Sequence, residues 1–229
     1  MFDARPLQGR LAARGYSLAI DGSAGPKTLA ALLAFIGRQQ LTPLIAQLGA
    51  AAAQHLPSAE IITPLRVAHA LAQWAVETGG FAKLEENLNY SATRLRAVWP
   101  SRFPTPLDAS LFAHKPEHLA EKVYGGRGGN AKPGDGWLYR GRGPTMLTFH
   151  DNYADAQRLT GVAVLASPDL VATPDVGMLV ACAYWRQRNI NAVADCDDLT
   201  AVRVKVNGGK IGLEQAQAYL RRAKLVLLP

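Results

Sequence analysis

The sequence predicts a mainly α-helical protein, and three observations support that fold class. Apolar residues recur at helical spacing over most of the chain, for example in PLRVAHALAQWAVE at residues 64–77. Prolines and glycine pairs bound these segments, and such residues begin or end helices. Strand signal is scarce, and YRGRGPTMLTF at residues 139–149 is the best short candidate. The chain has 229 residues, of which 48% are hydrophobic, so it can bury a core and wholesale disorder is excluded.

Residues 1–38 are predicted to form a small module of two helices joined by a loop. Apolar residues at helical spacing precede Gly15, which is a predicted helix end. A tight loop follows, and Thr28 is the predicted N-cap of the next apolar helix, TLAALLAFI. The polar segment GRQQ at 37–40 predicts a boundary, so that the chain divides into domains 1–38 and 39–229.

The larger domain is predicted to be helical apart from two loop regions. Four prolines between residues 99 and 116 predict loop or short helix, and eight glycines between 125 and 143 exclude a regular element. The helix that begins at Pro64 ends sharply at Gly79-Gly80, because paired glycines supply the positive φ of a helix end. The predicted helices are 43–56, 64–77, 178–188 and 212–228.

The net charge bears on which molecules the protein binds, and the cysteine spacing bears on whether it holds a metal. The 25 Lys and Arg residues exceed the 18 Asp and Glu residues by 7, which favours a polyanion: nucleic acid, an anionic membrane face or an acidic polymer. Nucleic-acid binding is disfavoured because the sequence has no motif that docks on DNA or RNA. A phosphate-binding loop is disfavoured because its glycine spacing is missing. Cys182 and Cys196 lack a metal-binding spacing and are expected to be reduced thiols. Neither a metal nor a cofactor is expected.

Two observations bear on location. No apolar run approaches the roughly 20 residues of a membrane span. The N-terminal segment MFDARPLQGRLAARGY has no apolar region of the kind found in signal peptides, so synthesis in the cytoplasm is expected.

Glu77 is a candidate general acid. It ends an apolar helix before a glycine turn, where a carboxylate faces the negative end of the helix dipole, and Trp74 and Val76 are apolar neighbours. Both effects are expected to raise the pKa of the Glu77 carboxyl group, and a raised pKa suits an acid at neutral pH. A surface glutamate at a helix end is the plainer alternative.

Glu85 and Glu86 supply a candidate second carboxylate. Glycines between Glu77 and this pair let the chain fold back, so that two carboxylates can face each other across a cleft. Paired carboxylates are the minimal machinery of glycoside hydrolysis. Spacing does not decide which glutamate points inward, and two solvated acids at a helix start remain the alternative.

The segment 125–153 is a candidate surface for binding sugars. Its glycines allow a ligand to approach the backbone closely. Trp137, Tyr139, Thr148 and Asn152 offer ring stacking and neutral hydrogen bonds, the chemistry by which proteins bind sugars.

Three ordered motifs resemble the catalytic domain of glycoside hydrolase family 19, in its phage-endolysin and bacterial lysozyme-like branch. They are AHALAQWAVETGGFAKLEENLNYSA, YRGRGPTMLTFHDNY and VNGG, and the similarity runs from residue 41 to the C-terminus. Residues 5–36 are similar to the small peptidoglycan-binding module that often precedes such domains, and this similarity implies a module of the three-helix type. The residues shared with that module include Gln8, Tyr16, Asp21 and Thr28.

The resemblance implies a lysozyme-like, two-lobed α-helical catalytic domain and an inverting mechanism. Glu77 matches the family's general acid, and Glu86 matches its second catalytic carboxylate. Thr148 falls where the family has a Ser or Thr that helps to hold the attacking water. The matched substrate-binding positions are Asn89, Tyr90, Tyr139, Arg142, Asn152 and Asn207.

Two positions depart from the family pattern. Met146 stands where the family often has Gln, which removes one candidate hydrogen bond to a sugar. Val76 stands where many relatives have His, which leaves Glu77 in a more apolar setting.

The resemblance therefore implies an endolysin of a phage that infects Gram-negative bacteria. Such an enzyme cleaves the β-1,4 bond between N-acetylmuramic acid and N-acetylglucosamine in peptidoglycan, and reaches the wall through a membrane pore made by another protein. The expected partners are peptidoglycan and, through the basic surface, an anionic membrane or lipopolysaccharide, with the protein as a monomer. A chitinase and a non-catalytic wall-binding protein are the alternatives.

Overall fold

A computed structural model describes residues 1–228 and has a mainly α-helical fold, as the sequence predicts. The helices are distributed between two compact units. Unit 1 comprises Met1–Leu84, Gly143–Met146 and the chain from Leu170 onward, and unit 2 comprises Glu85–Arg142 and Leu147–Asp169.

Eight α-helices of the described chain lie in unit 1 and five in unit 2. Six of them begin at a proline, which suits the first helical position because its N–H has no partner within the helix. The helices of unit 1 are α1 (Arg5–Ala12), α2 (Pro26–Gly37), α3 (Pro43–His55), α4 (Pro64–Thr78), α10 (Pro174–Gln187), α11 (Asn191–Asp195), α12 (Leu199–Asn207) and α13 (Leu213–Leu227). Those of unit 2 are α5 (Ala92–Val98), α6 (Pro106–Ser110), α7 (Pro116–Tyr124), α8 (Asp135–Leu138) and α9 (His150–Thr160).

The predicted limits of α3, α4 and α13 are confirmed to within one residue, whereas α10 begins at Pro174 and not at the predicted residue 178, and α2 begins before its predicted N-cap. That helix is capped by Gly25 and begins at Pro26, so the prediction of Thr28 as its N-cap is wrong. Thr28 instead lies in the first turn, where its hydroxyl donates to the carbonyl of Ser23 at 3.2 Å. The predicted end of α4 is confirmed, because Gly79 follows Thr78 with φ 62°.

The predicted strand at 139–149 is absent from the described residues, where only isolated β-bridges occur. Arg142 forms one of these bridges with Leu147. The backbone does not stay extended because Met146 and Phe149 have positive φ angles of 47° and 81°.

Unit 1 has one hydrophobic core. Trp74 of α4 and Trp185 of α10 meet edge to face, with ring centroids 6.1 Å apart, and each is at most 1% exposed. Helix α13 packs along α4, and α2 packs along α3.

Residues 1–38 belong to this core and do not form a compact unit of their own. Leu11 of α1 lies in the same buried cluster as Trp74. At the end of α2, Gly37 touches the backbone of Gly80, since a Cβ at Gly37 would lie 2.1 Å from the Gly80 carbonyl oxygen. Helix α2 buries its apolar residues against α3, α4 and α13 in this core, and the division of the chain after residue 38 stays a prediction.

Unit 2 has a smaller core built around Phe103. That side chain is fully buried together with Leu95, Leu119 and Val123. Between residues 99 and 116 only the short helix α6 and the first residue of α7 are helical, in agreement with the predicted loop or short helix. The glycine-rich segment 125–143 likewise contains only the four-residue α8.

Residues 1–228 contain no membrane-spanning helix, no disulfide bond and no cluster of metal-ligating side chains. No helix among them combines the length and apolar character that crossing a bilayer requires. Cys182 is buried and Cys196 exposed, both are free, and burial raises the pKa of the Cys182 thiol. No group of three or more His, Cys, Asp or Glu side chains is arranged as a metal site.

Gly49→Ala should destabilise unit 1. A Cβ at Gly49 would lie 2.5 Å from the backbone nitrogen of Ala30 in α2, so the helices must separate, at a cost of about 1–3 kcal/mol. Gly9→Ala in α1 is the matched control, because nothing lies within 4 Å of its Cβ. The control should stabilise the protein by about 0.5–1 kcal/mol through helix propensity alone. Denaturant titration measures both changes, and equal stabilisation by the two variants would contradict this packing.

Candidate active site

Glu77 lies in the last turn of α4, where the helix passes into a tight turn. The hydroxyl of Thr78 donates to the carbonyl of Trp74 at 2.6 Å and accepts the N–H of Phe81 at 2.9 Å. The Glu77 side chain is 19% exposed. The turn therefore holds the carboxylate at the edge of the core of unit 1, within reach of solvent.

A buried arginine contacts the Glu77 carboxylate. Arg203 of α12, whose side chain is 3% exposed, donates from Nη1 to Glu77 Oε1 at 2.7 Å. The same Nη1 donates to Gln73 Oε1 at 3.2 Å, and Nε donates to the carbonyl of Ile211 at 2.6 Å. The predicted apolar environment of Glu77 is therefore wrong: Val76 removes one polar neighbour, but α12 supplies a cation.

Asn207, a predicted substrate-binding residue, lies at the end of α12 in unit 1. Asn207 is exposed at the last position of the helix. The carbonyl of Val206, one residue earlier, accepts the hydroxyl of Tyr184 at 2.8 Å. Burial raises the pKa of Tyr184, and the negative charge of Glu77 raises it further. Tyr184 thus stays a neutral hydrogen-bond donor close to Glu77.

Glu86 is held in unit 2 at both carboxylate oxygens. Tyr124 of α7 donates its hydroxyl to Oε2 at 2.8 Å, and the backbone N–H of Gly141 donates to Oε1 at 2.7 Å. The N–H of Glu86 in turn donates to the carbonyl of Gly141 at 3.0 Å. Burial, followed by the charge of Glu86, raises the pKa of Tyr124, so this hydroxyl keeps its proton and its role as donor.

Thr148 lies beside the same carboxylate. A Cβ added to Gly141 would be 3.3 Å from Thr148 Oγ1 and 3.3 Å from Glu86 Cδ. The Thr148 hydroxyl and the Glu86 carboxyl group therefore both lie next to Gly141. The hydroxyl and the carboxylate that the sequence predicted to act on one water occupy one small region of unit 2.

Glu85 has different partners from Glu86. It forms an ion pair with Arg140, and Arg142 Nε lies 3.4 Å from its Oε1. Arg140 also stacks on Trp137, with its guanidinium carbon 3.8 Å from the ring centroid. Two arginines thus engage Glu85, whereas only neutral donors contact Glu86, which distinguishes the two glutamates that spacing left open.

Arg142 and Tyr139 are interior residues of unit 2. Arg142 is fully buried and donates to the hydroxyl of Tyr153 at 3.0 Å and to Asp169 Oδ1 at 2.6 Å. Tyr139 is 7% exposed, and its hydroxyl donates to the carbonyl of Leu165. The guanidinium of Arg142 is thus buried among groups of unit 2, and its predicted role in substrate binding stays a prediction.

The other predicted sugar-binding residues of unit 2 are accessible. Asn152 is exposed and donates to the carbonyl of Thr148 at 2.7 Å, so it supports the loop that carries that hydroxyl. Asn89 is exposed and pairs with the ring of His114 at 2.8 Å. Tyr90 is half-buried; burial and then the charge of Glu86 raise its pKa, which places its hydroxyl in the field of that carboxylate.

The predicted wall-binding residues of the N-terminal segment form an internal network. Gln8, 1% exposed, donates to Asp21 Oδ1 at 2.7 Å and to Thr28 Oγ1 at 3.1 Å, and accepts the N–H of Gly22 at 2.9 Å. The hydrogen bond from Gln8 lowers the pKa of Asp21. Tyr16 is partly buried against the core. Gln8 and Thr28 are buried and hold the loop between α1 and α2. Their predicted role in wall binding stays a prediction.

Sequence reasoning missed two residues of these sites, Arg203 and Tyr124. Arg203 is 126 positions from Glu77 and belongs to an ordinary amphipathic helix, so no local signal marks it. Tyr124 precedes the glycine-rich segment, and its position at the end of a helix bordering the predicted sugar-binding surface is the only hint that it is functional.

No family model matches the chain. A protein of Haemophilus influenzae described as a glycosyl hydrolase family 19 domain-containing protein is 35% identical over 173 residues, which cover 75% of this chain and 84% of that protein. An endochitinase of Arabidopsis thaliana is 33% identical over 90 residues, 39% of this chain and 31% of that protein. The crystal structure of chitinase C from Streptomyces griseus matches with a TM-score of 0.59 at 20% identity, over 86% of this chain and 75% of that one.

The identity to the Haemophilus protein extends over most of both chains, and the structural match shows the same lysozyme-like α-helical fold. This chain therefore belongs to glycoside hydrolase family 19 and is a chitinase-like hydrolase.

Proposed function

We propose that this hydrolase cleaves the β-1,4 bond between N-acetylmuramic acid and N-acetylglucosamine in peptidoglycan, with inversion, and that it acts as an endolysin. The main support for this mechanism is the set of hydrogen bonds that the Glu86 carboxylate accepts. Both of its oxygens accept hydrogen bonds from neutral donors, and the Thr148 hydroxyl lies beside it. A carboxylate that is oriented but not paired with a cation is suited to act as a general base.

In this mechanism Glu86 removes a proton from a water that Thr148 helps to hold. The water oxygen attacks the anomeric carbon, the glycosidic bond breaks, and Glu77 gives its proton to the departing oxygen. Glu77 Oε1 accepts from Arg203, so the proton for the leaving group is assigned to Oε2. An inverting enzyme needs about 6.5–9.5 Å between its carboxyl groups, and that separation stays a prediction for Glu77 and Glu86.

The choice of polymer rests on charge. The protein carries a net charge of +7, and peptidoglycan bears carboxylates on its peptide stems, whereas chitin is neutral. Electrostatic attraction therefore favours peptidoglycan. Chitin is the second candidate, because the Arabidopsis and Streptomyces relatives are described as chitinases.

Wall binding by residues 1–38 and release through a pore in the host membrane belong to the same proposal. Because α1 and α2 contribute to the core of unit 1, wall binding by this segment is best tested with substitutions at exposed positions of the intact chain. The loop between the two helices is the part of the segment with the most exposed polar residues, and the Gln8 network holds it in shape.

A basic surface of unit 1 supports contact with anionic lipid. Arg10, Arg221 and Lys224 surround a concavity of about 650 Å³ that Leu225 and Leu228 complete. Lys224 is paired with Asp197 and Arg10 donates to the carbonyl of Leu228, so Arg221 is the cation offered as available for lipid. Leu225 is 63% exposed. Cations around exposed apolar side chains match a lipid surface, which offers phosphate groups above acyl chains.

Glu77→Gln should abolish lysis of purified sacculi while the protein remains folded, because the amide cannot donate the required proton. We expect a loss of at least about 10²-fold in kcat. Mass spectrometry of wild-type digests should find new reducing ends on N-acetylmuramic acid, and NMR of the first products should find the α-anomer. Release of sugars from chitin but not from sacculi would favour the chitinase alternative, and full activity of the variant would refute the mechanism.

Glu86→Gln and Glu85→Gln form a matched pair of neighbouring substitutions. The first removes the proposed base and should lower kcat by about 10²–10⁴-fold. The second breaks partly exposed ion pairs with Arg140 and Arg142, so it should cost about 0.2–1 kcal/mol of stability and leave kcat close to the wild-type value. The opposite ranking of the two rates would assign the base to Glu85.

Arg221→Gln should weaken binding to vesicles that contain phosphatidylglycerol. One cation at a lipid surface contributes about 1 kcal/mol, so partitioning should fall by about fivefold. The double variant with Leu225→Ser should fall further, and Lys132→Gln in unit 2 is the control with the same loss of charge. Sedimentation with phosphatidylglycerol and with pure phosphatidylcholine vesicles measures the effect. Equal losses for Arg221→Gln and Lys132→Gln would show that net charge alone attracts the protein.

A further inference from the structure

Phe149 has a backbone conformation that is unfavourable for its residue type. It stands directly before α9 with φ 81° and ψ 142°. Glycine occupies this region freely, whereas a residue with a side chain pays about 1–3 kcal/mol to occupy it. Such strain persists only where the surrounding structure imposes it, so the contacts of Phe149 are informative.

The backbone of Phe149 is held from both sides. Its N–H donates to the carbonyl of Tyr139 at 2.9 Å, and its carbonyl accepts the N–H of Tyr153 at 3.1 Å in the first turn of α9. Gly128 packs against its side chain so closely that a Cβ there would lie 2.6 Å from the Cβ and Cγ of Phe149. The guanidinium of Arg127 also lies over the ring, with its carbon 5.5 Å from the centroid.

The ring of Phe149 contacts Glu86 indirectly, through Tyr124. It meets Tyr124 edge to face, with centroids 5.5 Å apart and the planes at 88°. Tyr124 donates to Glu86 Oε2 at 2.8 Å. The residue before Phe149 is Thr148, whose hydroxyl lies beside the same carboxylate. One strained residue thus connects the two groups that flank Glu86.

We propose that Phe149 is a positioning residue for the Glu86 carboxylate. Its ring keeps the Tyr124 hydroxyl on Oε2, and its unusual backbone turn directs the Thr148 hydroxyl to the same place. The inference rests on the proposed role of Glu86 as the base. Phe149 is only half-buried, so core packing alone gives no reason to place an aromatic side chain in a conformation that glycine adopts without cost.

Three substitutions separate the ring from the strain. Phe149→Leu keeps an apolar side chain but loses the aromatic edge against Tyr124, and we expect kcat to fall by about 10-fold or more with KM nearly unchanged, because small misplacements of catalytic groups are costly. Phe149→Tyr restores the ring and should restore kcat. Phe149→Gly relieves the strain and should fold, yet it should be as slow as Phe149→Leu. The assay uses solubilised glycan strands or, if chitin is the polymer cleaved, chitooligosaccharides.

A double-variant cycle tests whether Phe149 acts through Tyr124. In a Tyr124→Phe background, Phe149→Leu should lower kcat much less than in the wild type, since the hydroxyl that the ring positions is already absent. Phe103→Leu, in the core of unit 2, is the control: it should lower the melting temperature and leave kcat unchanged. Equal effects of Phe149→Leu in both backgrounds would overturn the proposal.

The outcomes distinguish this inference from the proposed function. If Glu86→Gln keeps full activity, the assignment of the base fails. If Glu86→Gln is inactive while Phe149→Leu and Phe149→Gly keep the wild-type kcat, only the positioning role of Phe149 fails.

Discussion

The contact between Arg203 and Glu77 constrains most of what surrounds it in unit 1. A guanidinium that is 3% exposed must have its charge and its donors satisfied, since an unpaired buried cation is very costly. Arg203 meets this requirement with Glu77, Gln73 and the carbonyl of Ile211. The last turn of α4, the helix α12 and the loop that follows it are therefore held together by one side chain. Gly212 fits this arrangement, because a Cβ there would lie 3.0 Å from Arg203 Nη2.

In unit 2 the two neighbouring carboxylates, Glu85 and Glu86, are held by different kinds of donor. Arg140 and Arg142 engage Glu85, and Arg142 also ties that region to Asp169. The adjacent Glu86 receives one hydroxyl and one backbone N–H. Two neighbouring glutamates of identical chemistry thus acquire different environments. Glu85 is held by cations, and Glu86 is held by a hydroxyl and a backbone N–H.

The N-terminal segment illustrates how a motif that resembles a binding module can have a structural role. Gln8, Asp21 and Thr28 are polar residues at the positions expected of a wall-binding module, yet their hydrogen bonds are to one another and to the loop they enclose. The end of α2 touches the turn that follows Glu77 through Gly37 and Gly80. A side chain introduced at Gly37 is therefore expected to displace the turn that follows Glu77, because there is no space between the two backbones to hold it.

The helical class and the end of α4 at Gly79 could be predicted from the sequence, because periodicity and glycine turns are local signals. The family motifs, which are also local, marked Glu77, Glu86 and Thr148 as candidates. The roles of Arg203 and Tyr124, the difference between Glu85 and Glu86 and the burial of Arg142 could not be predicted, because each depends on partners that are distant in sequence and on how much solvent reaches the side chain. The predicted strand failed for the same reason: hydrogen bonds to Tyr139 and Tyr153 hold Phe149 in a conformation that its own sequence disfavours. Local sequence determined which residues have the chemistry, and only the tertiary structure decided which of them present it to solvent and which use it to hold the others in place.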